Sequence, residues 1–257
     1  MKKPGEWKTG ASVCLYKQFT AENLRECADA GITAVEVSAA YAEDFPAIAK
    51  EAAACGIELW STHLRFSHEW DISHETYTES TLTLHEEHLR KAAAAGFKLA
   101  VVHPSAEPIA DEDRRARLMK SRESLLRLAA FAKALGMRLA VENLPRTCLG
   151  HTSGDINYLL TGNPDLGVCF DTNHLLIEDN LNFIRRLGKR IITLHVSDYD
   201  FIDERHLLPG DGKNDWPAIM RALAEAGYEG PWMHEVSAGK GSAADLRRTH
   251  LMFAAQV

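Results

Sequence analysis

Leu135-Gly136-Met137-Arg138-Leu139-Ala140-Val141-Glu142-Asn143 is the stretch whose reading decides the fold. A helical segment closes on a glycine, an apolar run follows, and a carboxylate stands at the end of that run. Glycine just past a helix takes the left-handed conformation that a Cβ would oppose. A run this apolar suits a strand buried on both faces of a parallel sheet. The same order recurs at Ala30-Gly31-Ile32, Cys55-Gly56-Ile57, Ala95-Gly96-Phe97 and Ala226-Gly227-Tyr228.

Extended along the chain, the pattern predicts strands at 11–15, 33–38, 57–63, 97–103, 137–142, 166–171, 191–196 and 231–236. Helices are expected at 20–30, 43–55, 75–95, 111–135, 153–161, 178–188, 214–226 and 241–254. Thr20 before Ala21-Glu22-Asn23 and Pro46 in a first turn mark two of the starts. Strict α/β alternation leaves a closed barrel or an open doubly wound sheet. Eight units in 257 residues favour a single-domain (β/α)8 TIM barrel, typically about 250 residues long. No GxGxxG follows the first strand, which removes the usual reason to choose a dinucleotide fold, and no linker divides the chain.

Composition narrows the function classes. No apolar run reaches the roughly 18 residues that suggest a membrane span, and Met1-Lys2-Lys3-Pro4-Gly5-Glu6 leads into no signal-like apolar segment. Cys14, Cys27, Cys55, Cys148 and Cys169 are odd in number and never paired as CxxC. They are expected to be small buried hydrophobes in a reducing cytoplasm rather than a disulfide or thiolate-zinc framework. A net charge of −7 disfavours a nucleic-acid partner, which would call for a basic stripe.

In a β/α barrel the active site lies at the C-terminal strand ends. Those ends read Val35-Glu36-Val37-Ser38, Ser61-Thr62-His63, Val101-Val102-His103, Val141-Glu142-Asn143, Cys169-Phe170-Asp171, Leu194-His195 and Met233-His234-Glu235. Glu142, Asp171, His195 and Glu235 fall in register on strands five to eight, where their like charges would repel without a cation. Three carboxylates and an imidazole make an oxygen-rich site for one divalent metal ion, and Mn²⁺, Mg²⁺, Co²⁺ and Zn²⁺ all remain open. A Lewis acid there would acidify the α C–H of a hydroxy-carbonyl substrate. Glu142 and Glu235 are then the expected acid/base pair, moving a proton through an enediolate.

At these residues the chain resembles the xylose-isomerase-like barrel superfamily of sugar (and sugar-phosphate) isomerase/epimerases and apurinic endonucleases. The matching segments are Val141-Glu142-Asn143, Phe170-Asp171-Thr172-Asn173-His174, Leu194-His195-Val196-Ser197-Asp198, the run from His206 through Pro209-Gly210-Asp211-Gly212 to Trp216, and Tyr228-Glu229-Gly230-Pro231-Trp232-Met233-His234-Glu235. For the epimerase-like members, the resemblance implies the same four metal ligands and the same acid/base pair. It makes His174 a substrate-oxygen contact or a second-metal ligand. Certain ketose epimerases carry arginine where this chain has His206, so their specificity does not carry over.

His63, His103, His174 and His206 are the expected substrate-contacting residues at the mouth. Trp7, Trp60, Phe66 and Trp70 either wall a sugar's apolar face or pack in the core. The expected activity is a metal-dependent isomerase/epimerase on an unphosphorylated sugar or small hydroxy-carbonyl compound, in a chain that could be a homo-oligomer. Three rivals stand beside it: a dehydratase of a keto-polyol, an endonuclease using His63, His103, His174, His206 and Glu204 for a multi-metal cluster, and a catalytically silent metal-binding barrel.

Overall fold

A computed structural model describes residues 2–257. Eight strands, β1 (Thr9–Ser12), β2 (Ala34–Ser38), β3 (Glu58–His63), β4 (Leu99–Val102), β5 (Arg138–Glu142), β6 (Leu166–Asp171), β7 (Ile191–His195) and β8 (Trp232–His234), form one parallel sheet ordered β8-β1-β2-β3-β4-β5-β6-β7. The edges meet where the Val196 N–H donates to the Met233 carbonyl at 2.8 Å and the Glu235 N–H to the Val196 carbonyl at 2.9 Å. Each strand is followed by its helix: α1 (Asn23–Asp29), α2 (Phe45–Cys55), α3 (Thr78–Ala95), α4 (Asp111–Ala134), α5 (Ser153–Leu160), α6 (Asn180–Leu187), α7 (Trp216–Glu225) and α8 (Ala243–Ala254). The molecule is the expected (β/α)8 barrel.

The repeated glycines act as read. Gly56 and Gly96 close α2 and α3 at φ 69° and 97°, donating their N–H groups back to the last helical turn. Helix starts are held by side chains: Thr152, Asp179, Asp215 and Ser242 each accept an amide of the first turn of α5 to α8. Each such cap is worth about 1 kcal/mol.

Two expectations at the first unit shift. β1 is Thr9–Ser12 rather than 11–15, because its ladder pairs Thr9 with Trp232 and ends at Ser12 opposite Glu36. Val13–Leu15 turns out of the sheet as one 3-10 turn, and its buried Val13 and Leu15 mimic a strand in sequence. The first helix begins at Asn23, whose side chain accepts from the N–H of Thr20 at 2.8 Å. The thiols also split: Cys27, Cys148 and Cys169 are buried, whereas Cys55 is partly exposed and Cys14 exposed. Among the described residues no helix is long and apolar enough to cross a membrane.

Most of the core lies between sheet and helices, with Trp7 stacked on Trp232 at 5.8 Å. A smaller apolar cluster of Leu99, Val101, Ala140 and Cys169 is separate from it. Strand alternation puts these four on the inner face of the barrel. They form an apolar floor beneath the mouth.

The core also holds neutral histidines. Burial lowers His85, packed against Trp70 and His88, to about 3. Burial likewise lowers His234 to about 3 and His250 to about 4. An unfolded histidine titrates near 6.5, so below that pH the unfolded chain binds protons that the fold declines. The stability contribution is full above about 6.5 and is lost as pH falls towards the folded value. His85→Leu is therefore expected to gain about 2 kcal/mol more at pH 5 than at pH 8, from 1.5 pH units at 1.36 kcal/mol each. Denaturant melts of both proteins at the two pH values check this; an equal gain at both would refute a neutral buried His85.

Candidate metal centre

Side chains alternate along a strand, so the residue two beyond each floor residue faces the same interior one layer higher. His103 follows Val101, Glu142 follows Ala140, Asp171 follows Cys169, and Glu235 follows Met233 in this way. His195 follows Thr193, which lies in register with Cys169. His63 stands above Ser61, in register with Ser38 of β2. The fold thereby gathers polar groups from six strands at one end of the barrel.

His195 is fully buried at the centre. Its Nδ1 lies 2.9 Å from Glu142 Oε1, 3.3 Å from Glu235 Oε2 and 3.9 Å from Asp171 Oδ2. One ligand-type atom from each of these four residues falls within 4.8 Å of the others. That span is comparable to twice the 2.0–2.2 Å bond that such a ligand makes to a small divalent ion. Asp171 Oδ2 is buried and has no hydrogen-bond partner. An unpaired buried carboxylate oxygen is costly, and this one points into the cluster. The donor set and this orphaned oxygen fit a bound divalent cation.

The sequence motifs around these residues lock them in place. Asn143 accepts from the Asp171 N–H at 2.8 Å and donates to the Asp171 carbonyl at 2.9 Å. The Thr172 hydroxyl donates to the Ser197 carbonyl at 2.8 Å, tying β6 to the end of β7. Asn173 Oδ1 accepts from the N–H groups of Arg205 and His206 at 3.1 and 3.2 Å. These bonds hold His206 at φ 46°, in the left-handed region that histidine seldom occupies. Asp198 is committed elsewhere: it accepts from the N–H of Gly210, the N–H of Asn214 and the Trp216 indole. The Pro209-Gly210-Asp211-Gly212 turn wraps this buried carboxylate, and a Cβ on Gly212 would lie 2.4 Å from its oxygen.

The four expected mouth histidines surround the cluster. His63 Nδ1 donates to the Leu64 carbonyl at 2.7 Å, leaving Nε2 towards Glu142 Oε2 at 3.1 Å. His103 Nε2 stands 3.3 Å from the same oxygen. His174 Nδ1 donates to the Asn143 carbonyl at 2.9 Å, and His206 Nδ1 donates to the Glu235 carbonyl at 3.1 Å. Glu204 Oε1 hydrogen-bonds the remaining nitrogen of His206 at 2.9 Å and lies 3.6 Å from that of His174. His63, Glu142 and His195 form a further group that could hold a metal ion, as do His174, Glu204 and His206.

Charge is unevenly distributed across the site. Burial pushes Glu142 up, yet the His195 and His103 imidazoles overcome it and hold its carboxyl well below the usual range. Burial raises Glu235 to about 7, with Glu142 adding to the rise against the pull of His195. Burial opposes protonation of His174 and His206, but Asp171 and Glu204 raise His174 to about 10, and Glu204 and Glu235 raise His206 to about 9.

A cavity of about 280 Å³ opens outward, lined by Phe66, His103, Leu144, Arg146, His174 and Glu204. Phe66 is 58% exposed and stacks on His103 at 4.3 Å. The other aromatic candidates lie elsewhere. Trp7 is core, Trp70 packs on α3, and Trp60 donates to Thr193 at 3.0 Å, one layer beneath His195. Arg146 bridges Glu107, Asp203 and Glu204, so its guanidinium is already paired. A larger cavity of about 550 Å³ sits between the loops after β6 and β7 and is lined by none of the four central residues.

Sequence reasoning passed over one residue. Glu36, quoted only within a strand end, is fully buried with Oε1 2.9 Å from His195 Nε2. A carboxylate inside a strand flanked by Val35 and Val37 was the available signal, since charge in a doubly buried strand requires a partner.

A parallel barrel with carboxylates and imidazoles converging at its C-terminal mouth defines the class of protein. The model of the xylose isomerase-like TIM barrel family matches residues 24–255, and the chain belongs to that family. The chain spans less than two thirds of the first curated relatives it matches. Among these is an uncharacterized protein of Methanocaldococcus jannaschii, 28% identical over 65% of this chain and 61% of that one. Inosose dehydratase of Lacticaseibacillus casei is 27% identical over 88% of this chain and 85% of its own. A crystal structure of a D-tagatose 3-epimerase-like protein superposes with a TM-score of 0.84 at 20% identity, covering 96% of this chain and 97% of that one. At that identity the likeness speaks for the fold alone.

Proposed function

We propose that this protein is a divalent-metal-dependent sugar isomerase or epimerase acting by proton transfer on a ketose or related hydroxy-carbonyl compound. Glu142, Asp171, His195 and Glu235 hold the ion. The observation that carries this reading is the convergence of three carboxylate oxygens on His195 Nδ1, with Asp171 Oδ2 left without any other partner. When bound, the ion supplies Lewis acidity to substrate oxygens and lowers the cost of ionising the neighbouring C–H.

The protein's own groups do the rest. Glu142, held ionised, takes the α proton, which generates the enediolate. Glu235, poised near neutrality and 15% exposed in its side chain, returns a proton. Carboxyl groups whose environments push their proton affinities apart suit opposite acid/base roles. His63, His103, His174 and His206 contact substrate hydroxyls, and Phe66 faces the apolar side. Arg146, which lines this mouth, is already paired with three carboxylates, which favours an unphosphorylated substrate.

Incubation with ketoses, aldoses and keto-inositols in ²H₂O, with Mn²⁺ added, tests the reading. Deuterium should enter at a carbon α to the carbonyl. Loss of water instead of exchange would select the dehydratase, which the inosose dehydratase relative favours. The groups His63–Glu142–His195 and His174–Glu204–His206 favour one other reading, a multi-metal hydrolase. Several metal ions per chain together with incision of abasic DNA would establish it over the isomerase.

A further inference from the structure

Glu36 contacts the centre from below. β2 and β3 pair so that Glu36 lies in register with Ser61, one layer beneath His63. From that depth its Oε1 meets His195 Nε2 at 2.9 Å, on the ring edge opposite the three carboxylates. Its other oxygen accepts from the Ser61 hydroxyl at 2.7 Å. Carboxylate, imidazole and hydroxyl are all fully buried, so water does not compete for these bonds. The pair has no contact with the mouth cavity, and Glu36 shares no group with the atoms that converge on Nδ1.

We propose that Glu36 is a positioning residue: it accepts a hydrogen bond from the Nε2–H of His195 and so presents the Nδ1 lone pair to the metal. The proposal rests on the reading of this cluster as a metal centre. An ionised carboxylate only accepts hydrogen bonds, so a neutral His195 beside it carries its single proton on Nε2. The bond fixes the tautomer and the ring plane together, and the carboxylate raises the basicity of the ligating nitrogen. Ser61 in turn holds the Glu36 carboxylate against rotation. Neither residue touches substrate.

Two measurements on the full-length chain test this. In the first, chelator-stripped wild type and Glu36→Gln are titrated with Mn²⁺, followed by the electron-spin resonance of the free ion. Outer partners of this kind change metal affinity about 10–100-fold. A loss in that range is expected for Glu36→Gln, with a smaller loss in the same direction for Ser61→Ala. Unchanged affinity in Glu36→Gln would overturn the role.

The second needs no variant and therefore stands even if Glu36→Gln fails to fold. Long-range ¹H–¹⁵N spectra of ¹⁵N-histidine-labelled, Zn²⁺-loaded wild type should show His195 protonated at Nε2, with Nδ1 shifted by the metal. Protonation at Nδ1 would overturn the proposal while leaving a metal centre in place. A wild type that binds neither Mn²⁺ nor Zn²⁺ would overturn the metal reading, and the role of Glu36 with it.

Discussion

Glu142→Gln is expected to lower turnover about 10³-fold, in the middle of the 10²–10⁴ range for loss of a general acid or base. The side chain is 1% exposed and faces His63, His103 and His195 at 2.9–3.3 Å. A carboxamide keeps the volume but loses the negative charge that a bound cation would face. It also cannot take a proton from carbon. Metal content and deuterium exchange should be measured on the same sample. A variant that retains its metal and full turnover would sink the assignment of Glu142 as base.

Removal of the proposed metal is the second large expected effect. Exchange activity should fall to background on chelation and return with Mn²⁺. A ligand at 100 times its dissociation constant stabilises by about 2.7 kcal/mol, which corresponds to a loss of about 5–10 °C in melting temperature for a chain of this size. The pH dependence of the stripped protein also has a definite sign. His174 and His206 have folded values raised to about 10 and about 9. Their contribution is therefore fully present below about 6.5 and lost as pH rises through those folded values. Between pH 7 and 9 the stripped protein should lose stability. A scanning-fluorimetry series that stays flat in this window would contradict charged imidazoles at the mouth.

The family match is to xylose isomerase-like TIM barrels, and one relative over most of the chain is an inosose dehydratase, so the proposed reaction class leaves the product open. On the proposed reading, whether exchange, inversion or loss of water follows would depend on where Glu235 and the four histidines meet the substrate. The paired state of Arg146 makes a prior difference, because a phosphate would have to displace Glu107, Asp203 or Glu204 from it.

The sequence by itself determined the barrel, and it singled out four strand-end residues that the structure brings within reach of one another. Gly56 and Gly96 close helices in the left-handed region, and β6, like β5 after Arg138, is apolar up to a terminal carboxylate. Both features are local, so they could be read without neighbours. The start of the first unit could not, because Val13 and Leu15 are as apolar as strand residues and only the ladder to β2 and β8 shows where pairing stops. Glu36 was hidden for a related reason: it lies 159 positions from His195 in the chain. Only barrel closure and the β2–β3 register put it beneath the imidazole. Tertiary structure alone also decided that Asp198 is consumed by the Gly210 turn, while Asp171 keeps an oxygen free. Asp171 ends a strand and Asp198 follows one closely, but a carboxylate's availability depends on which donors the fold brings to it.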